Sequence, residues 1–90
     1  MESQVLTTAG ANYNVQPQNQ KNFTLGELEN IVNGKVGMLR LSSTQIMVFN
    51  NKAKEQGLSY NPHATLIAVV ARGGTIFGDV LLCEPQMLQS

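Results

Sequence analysis

Apolar and polar positions fall into a few patterned stretches separated by amide-rich and glycine-rich breaks. The sharpest begins at Thr24. Thr24-Leu25-Gly26-Glu27 matches a capping box, in which the threonine hydroxyl and the glutamate carboxylate each satisfy a free backbone N–H at a helix start. Phe23 and Leu28 take the flanking staple positions, and Leu25, Leu28, Ile31 and Val32 recur at helical spacing. Asn33-Gly34 supplies a left-handed stop, so a helix is expected over about 24–33.

Two strands follow, Val36–Leu41 and Gln45–Asn50, joined through Ser42-Ser43-Thr44 as a β-hairpin. Ile46-Met47-Val48-Phe49 is apolar at successive positions, which predicts a strand covered on both faces. Asn51 to Gln56 carries Lys52, Lys54 and Glu55 and reads as a solvated turn or a single helical turn that Gly57 ends. Asn61-Pro62 marks a second helix start, with the asparagine as cap and the proline at the first helical position. The apolar run 63–71 carries β-branched residues that suit a strand equally well, and the Asn-Pro start favours a helix. Arg72-Gly73-Gly74 breaks this run. Thr75 to Cys83 gives a last strand, interrupted at Gly78-Asp79 and stopped by Pro85.

The first 22 residues differ in character. Asn12 to Asn22 is rich in amides, and the alternation of Tyr13 and Val15 with polar neighbours suggests a short edge strand that Pro17 ends. Residues 1–10 show no period and read as a loose tail. The expected organisation is therefore a tail over 1–22 and one domain over 23–90. Its fold class is α+β: a small antiparallel sheet of about four strands in the order β-α-β-β-(α)-β, with one or two helices packed on one face.

Composition narrows the function. Six basic residues balance six acidic ones, and a chain with no net charge lacks the basic surface of broad nucleic-acid binding. Charged residues are 13%, half the usual share, while Asn and Gln number 17. Amides desolvate more cheaply than charges, and a neutral surface does not repel its own copies, so a homo-oligomer is expected. No apolar run is long enough to span a bilayer, the start lacks a signal-peptide pattern, and a single cysteine fits a reducing cytoplasm.

Ordered pieces of the chain resemble the domain of unknown function 3846 family, found largely in phages and mobile elements. The pieces are Leu25-x-x-Leu28-x-x-Ile31-Val32-x-Gly34, Val48-Phe49-Asn50-Asn51, Gly57-Leu58-x-x-Asn61-Pro62-x-Ala64-Thr65, and Ile76-Phe77-Gly78-Asp79-Val80-Leu81-Leu82. They cover roughly two thirds of the chain. Family members commonly read Asn-Glu where this chain has Asn50-Asn51, and the stretch between Ala64 and Ile76 is longer and more apolar here. The family has no assigned activity. The resemblance implies a fold and a genomic setting, that of an accessory protein which binds and inhibits or sequesters a host factor.

The residues themselves offer little catalytic machinery. His63 follows a helix cap, Cys83 lies in an apolar strand, and Asp79 suits backbone hydrogen bonding more than acid–base work. One histidine and one aspartate do not make a metal site, and no cofactor is expected. Met38, Met47 and Met87 read as core filler. The best anion-binding candidate is Arg72-Gly73-Gly74-Thr75, a guanidinium beside flexible backbone donors, though it lacks P-loop spacing. Asn50, Tyr60 and Asn61 are the candidates to add neutral hydrogen bonds and a stacking face for a small nucleotide-like ligand. The leading expectation is a non-catalytic binder of a host protein or signalling nucleotide. A structural homo-oligomer is the alternative, and a small enzyme the third.

Overall fold

The computed structural model describes residues 3–71 and 74–88. Five strands form one antiparallel sheet: β1 (Ser3–Leu6), β2 (Asn12–Val15), β3 (Val36–Arg40), β4 (Ile46–Asn50) and β5 (Val80–Cys83), in the order β2-β1-β5-β4-β3. Helix α1 spans Leu25–Val32, and α2 spans Pro62–Ala68 before a 3-10 turn at Val69–Ala71. A second 3-10 turn, Pro85–Leu88, follows β5.

The α+β class and the antiparallel sheet are as expected, with five strands in place of about four. The added strand is β1, which sequence reading assigned to a loose tail. It pairs with β2 on one side and β5 on the other, and Val5 and Leu6 are fully buried. Ser3-Gln4-Val5-Leu6 sets its two apolar residues side by side and shows no alternation, so the signal that makes it a strand is its tertiary setting. β2 is an edge strand, as the pattern of Tyr13 and Val15 suggests. The expected last strand shortens to Val80–Cys83, with Phe77 joined to Tyr60 by a single bridge.

The helices do not share one face. Side chains alternate across each strand, and that alternation divides the core in two. Val5, Val48, Leu81 and Cys83 face α1, where Leu28 and Val32 pack with Phe23. Leu6, Met47, Val80 and Leu82 face the other way, toward Ala64 and Ala68 of α2. β5 is buried at all four positions because it serves both layers. Its unbroken apolar run is the sequence mark of a strand covered twice.

Both helix starts follow their sequence signals. Thr24 accepts from the Glu27 N–H at 3.2 Å, and the Glu27 carboxylate accepts from the Thr24 N–H at 2.7 Å, closing the capping box. Asn33 ends α1 in the left-handed region, at φ 63°. Asn61 caps α2, its side chain accepting from the Ala64 N–H at 3.0 Å, with Pro62 at the first helical position.

Candidate functional site

Two buried amides hold the loops in place. Asn61 is fully buried, and its Nδ2 donates to the carbonyls of Leu6 at 3.0 Å and Gly78 at 2.9 Å. With its Oδ1 capping α2, this one side chain ties the end of β1, the turn before β5 and the second helix together. The turn needs Gly78: its φ is +82°, and a Cβ there would lie 2.9 Å from Leu58 Cδ1. Asn50 is 3% exposed and works the same way at the other end. Its Nδ2 reaches the carbonyls of Val32 and Asn33 and Gln56 Oε1, while its Oδ1 accepts from the Lys52 N–H at 2.7 Å. Gly34 makes room, since a Cβ there would come within 2.7 Å of Asn50 Nδ2.

The residues expected to form a nucleotide site are thus placed differently. Asn50 and Asn61 sit in separate corners with their amide atoms occupied by the fold. Tyr60 is 50% exposed and packs edge-on against Phe77, ring centroids 6.2 Å apart. Gly74 is exposed with a φ of +71°. Arg72 and Gly73 lie outside the described residues. A recess of about 180 Å³ brings Asn50, Asn51 and Lys54 beside Thr75 and Phe77. That is smaller than the roughly 300–1,000 Å³ usual for small-molecule sites.

The groups with potential acid–base or nucleophilic chemistry have local tasks. Burial, and then the neighbouring Glu84 charge, push the Cys83 thiol up to about 11, so it stays protonated at neutral pH. Asp79 Oδ1 accepts from the Thr8 N–H at 3.0 Å, a long-range tie to the end of β1 in place of the local bond expected. His63 is exposed, 3.5 Å from the Asn12 amide. The Glu27 carboxyl is held below the usual carboxylate range by the Thr24 N–H and then the Gln18 N–H. Among the described residues no cluster of three His, Cys, Asp or Glu side chains could hold a metal ion. No described helix is long and apolar enough to cross a membrane.

The larger opening lies elsewhere. A groove of about 470 Å³ runs between the start of α1, β3 and the C-terminal 3-10 turn, lined by Phe23, Leu25, Leu28, Met38 and Leu88 with Asn22 and Thr24 at its rim. Leu25 is 62% and Met38 52% exposed. Sequence reading placed Leu25 on the buried stripe of α1 and Met38 in the core. Both lie at the margin of the sheet, where α1 begins before it reaches full cover and β3 has no further strand beside it. The legible signal was partial: the apolar spacing of α1 starts one turn before its buried residues do.

No family model, curated protein or solved structure matches the chain.

Proposed function

We propose that this chain is a non-catalytic accessory protein of phage or mobile-element origin that binds a host protein in the cytoplasm and inhibits or sequesters it. The observation that carries the reading is the exposed apolar groove between α1 and β3. Its volume falls in the range of working binding sites, and two large apolar side chains stand open to water at its rim. Small polar ligands need fixed donors aimed into a cavity, whereas this groove presents carbon. The ordered pieces that resemble the domain of unknown function 3846 family suggest the setting.

The test is site-specific crosslinking in extract of the host cell. A photo-reactive residue in place of Leu25 should give one discrete adduct with a host protein, and the same group in place of Glu55, exposed in the turn after β4, should not. The absence of any Leu25-specific adduct would count against a host-protein partner.

Two further readings each have their own observation. The small-nucleotide reading is supported by the sequence run Arg72-Gly73-Gly74-Thr75, whose Thr75 lines the recess with Asn51 and Lys54. Calorimetry against cyclic and linear nucleotides would then give an affinity that Arg72→Ala weakens by about 1.5–3 kcal/mol, the scale of a charge-assisted hydrogen bond. The outer side of α2 favours a homo-oligomer, because Leu66 is 73% and Val69 61% exposed one turn apart on a chain with no net charge. Light scattering at micromolar concentration would show a species larger than 9.8 kDa that Leu66→Asp returns to that mass.

A further inference from the structure

We propose that the free edge of β3 accepts an extended strand from a partner protein, with an apolar side chain seated in the α1–β3 groove and acidic residues at the strand's ends. The inference rests on the reading of the groove as a binding surface and names what fills it.

Hydrogen-bond parity locates the open positions. Register pairs Val36 with Asn50 and Arg40 with Ile46, while the Leu41 N–H donates to the Gln45 carbonyl and the Asn51 N–H to the Lys35 carbonyl. Odd-numbered residues of β3 therefore bond toward β4. In an antiparallel pair the alternate residues turn their N–H and C=O outward, which leaves Val36, Met38 and Arg40 with free backbone groups along the sheet margin. No proline interrupts this edge, and Met38 also lines the groove. A strand laid along β3 would gain main-chain hydrogen bonds and place alternate side chains over the groove, the two elements of recognition by strand addition.

Charge selects the occupant. Lys35 and Arg40 are the only charged residues between Asn33 and Gln45, they bracket the edge, and both are exposed. Among the described residues the one ion pair is Lys52 with Glu55, elsewhere in the fold. A second copy fits poorly. Two β3 edges paired antiparallel about Met38 would set Arg40 of one copy opposite Val36 and Lys35 opposite Leu41 of the other, meeting neither cation with a carboxylate, and parallel pairing would set like beside like. Like charges across a ladder destabilise it. A strand with carboxylates at its ends meets both cations instead.

The test uses a dye-labelled synthetic strand, Asp-Glu-Val-Thr-Leu-Val-Glu-Asp, and a control peptide with lysine at every acidic position. Binding is read by fluorescence anisotropy at low salt, and backbone contact by amide hydrogen exchange in the unlabelled complex. The acidic peptide should bind at least about tenfold tighter than the lysine peptide. It should slow exchange at Val36, Met38 and Arg40 and leave Gly37 and Leu39 as they were. Lys35→Glu combined with Arg40→Glu changes exposed side chains only, and should reverse the peptide preference. The proposal is overturned by equal affinity for the two peptides, by no binding up to about millimolar peptide, or by unchanged exchange at the three even-numbered amides. Dimerisation that protects those amides without peptide would overturn it too, by making a second copy the occupant. A host protein crosslinked at Leu25 that leaves those amides unprotected would keep the binder and remove strand addition. Peptide pairing with no host adduct would do the reverse.

Discussion

Two corners of the fold, one where β1 ends and one beside the edge strand β3, are finished in opposite ways. At the end of the interior strand β1, Asn61 draws that strand, the Gly78 turn and α2 together, and every polar atom of its side chain is bonded inside the protein. At the β3 side, a strand ends the sheet with alternate backbone groups free, cations at both ends and an apolar groove beside it. One corner spends its polar groups on holding the chain together; the other keeps carbon and backbone available. On the proposed reading stability and recognition lie in different places, and substitutions should separate them.

The largest effect is expected at the closed corner. Asn61→Leu removes a donor to two carbonyls and the cap of α2, leaving buried groups unpaired at about 1–3 kcal/mol each before relaxation. A loss of about 2–5 kcal/mol would be a large part of the total stability of a small domain. Urea denaturation that places the variant within about 1 kcal/mol of wild type would show that the corner is not the anchor described here.

A smaller effect is expected where the open side meets α1. Thr24→Ala removes the acceptor for the Glu27 N–H and should cost about 0.5–2 kcal/mol. An unchanged midpoint would separate the groove rim from the helix it is built on.

The same cap has a pH signature. The folded chain holds the Glu27 proton less tightly than the unfolded chain does, because the Thr24 and Gln18 N–H groups bond the carboxylate. Its contribution is present above the ordinary carboxylate value and is lost as pH falls through the lower folded value. The urea midpoint should therefore drop on acidification below the ordinary carboxylate range, and Glu27→Gln should flatten that drop. An identical acid profile in wild type and variant would contradict the capping role.

Much of the fold was legible because local chemistry and tertiary structure agree. The Thr24 capping box, the Asn33 stop, the Asn61-Pro62 start and the doubly apolar β4 all appear where the residues place them. β1 was not legible, since Ser3–Leu6 becomes a strand only through partners at Asn12–Val15 and Val80–Leu82. The distribution of helices over both faces was hidden for a related reason. Ala64 and Ala68 are small, so α2 reads as weakly amphipathic although they are fully buried against the sheet. Asn50 and Asn61 were noticed as chemically capable side chains, and their geometry explains why such residues stand out: a buried amide in a small domain has work to do. Leu25 and Met38 looked like core. Exposure is a property of what is absent beside them, which no local pattern reports.

The central claim is that the α1–β3 side binds and contributes little to holding the chain together. Its direct test is one double variant, Leu25→Gln with Met38→Gln, measured in parallel by thermal unfolding and by acidic-peptide binding. Both side chains are more than half exposed and the replacements are neutral, so the stability change should stay within about 1 kcal/mol. Peptide affinity should fall at least about tenfold, the equivalent of 1.4 kcal/mol of lost apolar contact. A variant that unfolds at a much lower temperature, or one that binds the peptide as tightly as wild type, would contradict the account.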